Sequence, residues 1–456
     1  MVLKVAFHTL GCKLNQLETE SFADAFGRAG ATVLPLDSDE GDADFIVVNT
    51  CTVTGKAEQK ARRIVRRALQ RNSSSFAIIT GCYAQVEAEA LAALDERILV
   101  LPGGRKEALL ALPAWLGSRE MGDGDLLARL REWLSGLAFC AEDGEGRFAY
   151  EPEAFAFHSR PALKIQDGCD NSCAYCRVRI ARGRSTSLSA TEALARARAL
   201  EEAGSAEIVL TGVNLSQYRD GDVDFPALLK LLLSGTERIA FRLSSYEPDR
   251  VDEAFLDAFA DPRVRPHVHL AVQSGSDDVL AGMGRRYGGA EVVAAVEALR
   301  RVKRDPFLAA DIIAGFPGET EAEAAKTLAL ARSCDFAWIH AFRFSPRPGT
   351  RAVSLPRRVP ERLAGERVDA LRDLGRAGRA AYARRWTGAD VSAVIEDARG
   401  VGSTGATAEN YLKLGILGLP SGTLSGQSIL CRIDGGRAGS ATGDFDAFAS
   451  YIRPGR

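Results

Sequence analysis

Three cysteines fall within eight residues in Cys169-Asp-Asn-Ser-Cys173-Ala-Tyr-Cys176. Three thiolates so close along a chain can grip three corners of a [4Fe-4S] cube, a group normally held by four cysteines. One iron is then left open to bind a chelating ligand, so the cluster can do more than pass electrons. A structural zinc site is the competing reading. Such sites are closed by four ligands, commonly in paired Cys knuckles, and no fourth Cys or His follows at suitable spacing.

A second set is spread along the first third of the chain. Three strand-like apolar runs, Leu3 to His8, Asp44 to Asn49 and Phe76 to Thr80, each lead into a cysteine: Cys12, Cys51 and Cys82. Helix-like stretches accompany them at Glu18 to Ala29, Lys56 to Gln70 and Val86 to Leu94. Strand–helix alternation predicts a parallel sheet with covering helices. In open α/β sheets functional groups gather beyond the carboxyl ends of the strands. Residues separated by 39 and 31 positions can thereby meet at one edge. Spacing alone suits buried thiols as well as it suits ligands; the shared place at three strand ends favours ligands. Cys140, Cys334 and Cys431 have no partners at ligand spacing and read as packed thiols. Nine cysteines, an odd number, do not make a disulfide framework. A reducing cytoplasm is the expected setting.

Three regions must position these groups. Residues 1–140 form the α/β region just described, and a Gly- and Asp-rich stretch at about 117–160 reads as a linker. Residues 155–383 repeat the β/α alternation six times, with strands expected at Ala162–Gln166, Glu207–Thr211, Ile239–Ser244, His267–Val272, Leu308–Ala314 and Trp338–Phe344. Six units are too few for a closed eight-unit barrel, so an open partial (β/α)6 barrel is expected, with its site at the carboxyl ends of the strands. Residues 384–456 hold short β-like runs at Val391–Glu396, Tyr411–Leu414 and Ile429–Ile433 between turns, which suggests a small antiparallel β-barrel. The fold class is α/β with that barrel appended.

Of the 456 residues, 46% are apolar and 26% charged, which fits a globular chain and not a fibrous or disordered one. No apolar run approaches the roughly 20 residues of a membrane span, and no signal peptide is read at the start. A net charge of -2 argues against a generally basic nucleic-acid binder. Local charge differs: Lys56, Lys60, Arg62, Arg63, Arg66, Arg67 and Arg71 face one acid, Glu58, within residues 56–71. Arg177, Arg179, Arg182 and Arg184 follow the cysteine loop. Basic patches beside a reactive site suit contacts with nucleic-acid phosphates. Lys60, Arg63, Arg67, Arg182 and Arg184 are the expected RNA contacts. A solvated helix face is the plainer reading of residues 56–71.

The Cys169–Cys176 loop resembles that of the radical S-adenosylmethionine (SAM) superfamily. The surrounding words narrow this. His8-Thr-Leu-Gly-Cys-Lys-Leu-Asn-Gln-Leu-Glu-Thr-Glu20, Val48-Asn-Thr-Cys-Thr-Val-Thr54 and Thr80-Gly-Cys-Tyr-Ala-Gln85 are similar to the N-terminal domain of the methylthiotransferases. His269-Leu-Ala-Val-Gln-Ser-Gly-Ser276 and Asp311-Ile-Ile-Ala-Gly-Phe-Pro-Gly-Glu-Thr320 extend the likeness through the barrel, and the tail resembles a TRAM domain, which binds RNA in many relatives. Thr9-Leu-Gly-Cys-Lys13 and Thr50-Cys-Thr-Val-Thr54 look most like the bacterial tRNA enzymes that act on N6-threonylcarbamoyladenosine beside the anticodon.

The resemblance implies a radical SAM enzyme with two [4Fe-4S] clusters, one open to SAM and one holding sulfur. It implies replacement of hydrogen at carbon 2 of the adenine by a methylthio group, with SAM as methyl donor and as source of a 5′-deoxyadenosyl radical. Tyr175 is placed by adenine, and Thr211, Gly212, Ser244, Gln273 and Gly315 along SAM; each of the last five could equally end a strand or cap a helix. tRNA and an electron donor such as flavodoxin or ferredoxin are the implied partners, with the sulfur donor left open. The rivals are a methylthiotransferase acting on a ribosomal-protein aspartate and a non-catalytic iron–sulfur RNA sensor. The family often has proline three residues after the last loop cysteine; here Arg179 stands there.

Overall fold

The computed structural model describes residues 2–37, 43–71, 74–117, 126–137, 145–397, 404–435 and 445–455. Cys140 lies outside the described residues, as do residues 118–125 and 138–144 of the expected linker; the part between them is not irregular but a helix, Leu126–Gly136, that buries Leu127 and Leu130. The chain divides into two compact units. The first holds Met1–His158, Asp167–Asn171 and Cys176–Thr186; the second holds Ser159–Gln166, Ser172–Tyr175 and Ser187–Arg456.

In the first unit, strands β1 (Lys4–Thr9), β2 (Thr32–Pro35), β3 (Phe45–Thr50), β4 (Phe76–Gly81) and β5 (Ile98–Val100) form a parallel sheet in the order β2-β1-β3-β4-β5. Every residue of β3 is buried, which is why it reads as an unbroken apolar run. The edge strands β2 and β5 are additional to the three predicted. Helix α1 (Lys13–Arg28) starts directly after Cys12. Its apolar period begins late because Asn15, Glu18, Thr19, Glu20 and Asp24 are themselves buried. Two of these acids hold a distant segment. Glu20 accepts the Ala156 N–H at 2.7 Å, and Asp24 accepts the Ala154 N–H at 3.2 Å. Helix α2 (Gly55–Arg71) packs Ala61, Val65, Ala68 and Leu69 against Ile46, Val48 and Ile79. The helix predicted over 86–94 is instead two short ones, Cys82–Val86 and Ala88–Ala92, because the chain leaves helical geometry at Glu87 (φ -142, ψ 46).

In the second unit, six parallel strands follow in sequence order: Ala162–Lys164, Glu207–Thr211, Ala240–Leu243, His267–Gln273, Phe307–Ala314 and Trp338–Arg343. The third resumes as Ser245–Tyr246 to pair with the fourth. This is the open partial barrel expected. The tail closes into a five-stranded barrel of Asp390–Asp397, Thr404–Ala408, Lys413–Leu417, Ser428–Gly435 and Ala447–Pro454. It is not wholly antiparallel: Lys413–Leu417 and Ala447–Pro454 run parallel.

The small barrel packs under the amino ends of the partial-barrel strands. Ile395, Leu412, Leu414 and Ile433 share one apolar core with Phe307, Ala337 and Tyr382. The ring of His267 stacks on Tyr411 with centroids 4.0 Å apart. Glu207, 1% exposed, accepts from Arg242 at 2.6 Å, Arg265 at 2.8 Å and Arg160 at 3.3 Å. Arg242 also donates to the Ala408 and Glu409 carbonyls at 3.1 and 3.2 Å. The base of the partial barrel is thereby occupied, leaving its carboxyl end for chemistry.

Candidate iron–sulfur centres

In the first unit, β1, β3 and β4 are neighbours about 4.8 Å apart, and their carboxyl ends are level: Thr9 pairs with Asn49 and Thr50 with Gly81. Cys51 and Cys82 directly follow their strands, and Cys12 caps α1. Glycines precede two of them. Gly11 and Gly81 have φ of 128° and 94°, values that L side chains avoid. A Cβ on Gly81 would lie 2.4 Å from the Thr50 carbonyl oxygen, and one on Gly11 would lie 3.1 Å from Cys51 Cβ. Asn15 Nδ2 ties the ends together, donating to the Leu10 carbonyl at 2.9 Å and the Thr50 carbonyl at 3.0 Å.

Burial pushes the Cys51 thiol up to about 12, and neighbouring Cys82 and Cys12 raise it further. Burial also raises Cys82, against the opposing pull of Arg182 and Lys106. Thiols held this way are inert unless a cation takes the place of the proton. Among the described residues, no three Cys, His, Asp or Glu side chains meet as tightly as one metal ion requires. Three thiols spread over three strand ends, with Arg182 and Lys106 beside them, fit a larger group such as an iron–sulfur cube.

Arg182 is the main departure from the expected RNA patch. It is 9% exposed. Its guanidinium donates to Cys82 Sγ at 3.2 Å, Asn15 Oδ1 at 2.7 Å, and Glu18 and Asp167 carboxylates at 3.1 Å. No phosphate can reach it. Arg177 is likewise buried, paired with Glu87 at 3.0 Å and Glu58 at 3.4 Å. Arg184 is exposed, 3.4 Å from Asp170. Lys60, Arg63 and Arg67 are exposed along α2, opposite its packed face.

Cys169 and Cys176 belong to the first unit. The Cys169 N–H donates to the Gly183 carbonyl at 3.1 Å, and Cys176 Sγ accepts the Val178 N–H at 3.4 Å. A short helix, Val178–Arg182, follows. Arg179 is in its first turn, where a backbone N–H has no helical partner and proline is tolerated. The usual proline is therefore dispensable for this turn.

Cys173 belongs to the second unit. The next residue, Ala174, is pinned by backbone hydrogen bonds at 2.8 Å to Met283 and to Ala352. Burial raises the Cys173 thiol, and Arg285 opposes this. The Tyr175 hydroxyl accepts from Arg285 at 2.7 Å, and Arg285 pairs with Glu247 at 2.7 Å. Thr211 and Ser244 end adjacent strands, one residue beyond the Leu210–Leu243 register pair. Their hydroxyl oxygens are buried with no protein partner among the described residues, so a bound polar group fits there. Gln273 ends the next strand in the left-handed region, at φ 65. Gly212 lies against Gln166, where a Cβ would sit 2.9 Å from Oε1. Gly315 is explained by packing: a Cβ there would lie 2.5 Å from Ala364 Cβ. Deeper in the partial barrel, His269 pairs with Asp311 at 2.9 Å and stacks on His340 with centroids 5.0 Å apart. Glu18, Lys106, Asp167, Arg285 and Glu247 carry no spacing signal in the sequence, since each is defined only by the strands and helices that bring it near.

Two family models match the chain: the radical SAM superfamily over residues 163–331 and an uncharacterized protein family, UPF0004, over residues 4–103. The radical SAM methyltransferase of Kitasatospora setae, solved with cobalamin and a [4Fe-4S] cluster bound, shares the fold over 77% of each chain (TM-score 0.50, 15% identity). Fold and family model together define a radical SAM enzyme. The threonylcarbamoyladenosine tRNA methylthiotransferase of Treponema pallidum is 42% identical over 91% of this chain and 95% of its own. That of Thermotoga maritima is 34% identical over 86% of each. The tRNA-2-methylthio-N(6)-dimethylallyladenosine synthase of Chromobacterium violaceum is 33% identical over 81% of this chain and 82% of its own. The chain belongs to the radical SAM tRNA methylthiotransferases, a family of enzymes that use SAM and [4Fe-4S] clusters. Among the described residues no helix is long and apolar enough to cross a membrane.

Proposed function

We propose that this enzyme methylthiolates carbon 2 of N6-threonylcarbamoyladenosine beside the tRNA anticodon, working in the cytoplasm with a flavodoxin- or ferredoxin-like reductant. The observation that carries the reading is the level edge of β1, β3 and β4, where Cys51 and Cys82 directly follow their strands and Cys12, three residues past β1, caps α1. These three would hold the auxiliary cluster, and Cys169, Cys173 and Cys176 the cluster open to SAM. When bound, the clusters and SAM supply the one-electron chemistry, the inserted sulfur and the methyl group.

The chain's own residues bind and orient. Thr211 and Ser244 offer buried hydroxyls to the polar end of SAM. Arg285 holds the Tyr175 ring in place through its hydroxyl, where it can lie against adenine. Lys60, Arg63, Arg67 and Arg184 present exposed charge to the phosphates of the anticodon arm. The choice of the threonylcarbamoyl base is supported by the 42% identical relative. The test is mass spectrometry of tRNA nucleosides from a strain lacking this gene and any second enzyme of the same activity. The 2-methylthio form of threonylcarbamoyladenosine should vanish and the unmethylthiolated base accumulate. An unchanged ratio would refute the substrate assignment.

A further inference from the structure

The guanidinium of Arg182 is fixed on all sides within the first unit. Nη1 donates to Glu18 Oε1 and Asp167 Oδ1, each at 3.1 Å, and Nη2 to Asn15 Oδ1 at 2.7 Å. Its Nε is left for Cys82 Sγ, at 3.2 Å. Lys106 also pairs with Glu18. Two cations thus face two carboxylates, Glu18 and Asp167, and the group is neutral before any thiolate is counted. A charged donor to sulfur is roughly twice as strong as a neutral one. Hydrogen bonds to cluster sulfurs and local charge are among the main determinants of cluster potential. Arg182 also ends the Val178–Arg182 helix, which starts two residues after Cys176.

We propose that Arg182 is a positioning residue of the auxiliary cluster: its Nε–H···Sγ bond keeps Cys82 as a ligand and raises that cluster's reduction potential. One seven-residue segment, Cys176–Arg182, then carries both a thiol proposed to hold the SAM cluster and the donor that tunes the other. A hydrogen bond to a ligand sulfur withdraws electron density and favours the reduced state, so removing it should favour the oxidised one. The inference rests on Cys12, Cys51 and Cys82 being cluster ligands.

The test is a redox titration of the reconstituted full-length enzyme, with the two clusters assigned by comparison with a Cys169→Ala/Cys173→Ala/Cys176→Ala variant. In Arg182→Gln the midpoint of the auxiliary cluster should move to lower potential by at least a tenfold bias in the reduction equilibrium, about 59 mV for one electron. The SAM-cluster midpoint should stay in place. Full iron loading with an unmoved auxiliary midpoint would overturn the proposal. If Arg182→Gln loses only the auxiliary cluster, Arg182→Lys, which keeps charge without the fork, decides. Regained loading with a lowered midpoint supports the role, as does selective cluster loss in both variants at unchanged thermal stability. Regained loading with a wild-type midpoint, or global unfolding of both variants, overturns it. A wild-type chain holding only about four irons would instead defeat the ligand assignment itself.

Discussion

Glu207 concentrates the electrostatics of the barrel base in one side chain. Burial alone would raise its carboxyl, yet Arg242, Arg265 and Arg160 hold it far below the usual range. A depressed folded value stabilises the fold above the unfolded pKa of ~4.3, and the contribution is lost as pH falls through the folded value. Glu207→Gln should therefore cost about 3–5 kcal/mol at neutral pH, because it strands buried arginines, and should flatten the acid limb of stability. Thermal melts across pH 3–7 check this; an unshifted midpoint at neutral pH would contradict the network. Elsewhere in the same unit, burial alone would lower His269, but the Asp311 carboxylate outweighs it and raises the imidazole. Asp311→Asn should drop the His269 pKa below its ordinary value, read by NMR of the ring protons. A rise would show that Asp311 is not its partner.

At the scale of elements, α2 presents Lys60, Arg63 and Arg67 to solvent while Ala61, Val65 and Ala68 pack inward. Replacing the three by alanine should leave melting unchanged and weaken tRNA binding. The slope of log affinity against log salt should fall by about 2–3, one for each lost phosphate contact. An unchanged slope would return α2 to a merely solvated face. Much at this scale was legible in the sequence. The strand run Glu207–Thr211 coincides with its prediction, and the thiols of Cys12, Cys51 and Cys82 could be placed at one sheet edge because strand periodicity is local. The start of α1 was hidden because its buried polar residues satisfy tertiary partners that periodicity cannot see. Arg182 was misassigned for the same reason: charge in a basic run says nothing of the carboxylates at Glu18 and Asp167 that bury it. The parallel pairing of the last strand could not be read either, since register between distant strands leaves no local pattern.

For the molecule as a whole, the tail barrel is fused to the catalytic barrel and not hung beside it. Its apolar core is continuous with Phe307 and Tyr382, and its backbone accepts from Arg242. Truncation after Arg385 should therefore lower soluble yield and melting temperature as well as RNA affinity; a fully stable truncated chain would contradict the shared core. The proposed chemistry depends on two iron–sulfur cubes, each on three thiolates. The most direct measurement is iron per purified, reconstituted chain in three proteins: wild type, a Cys12→Ala/Cys51→Ala/Cys82→Ala variant and a Cys169→Ala/Cys173→Ala/Cys176→Ala variant. The expected counts are about eight, four and four atoms. About eight in either variant, or about four in the wild type, would contradict the two-cube assignment.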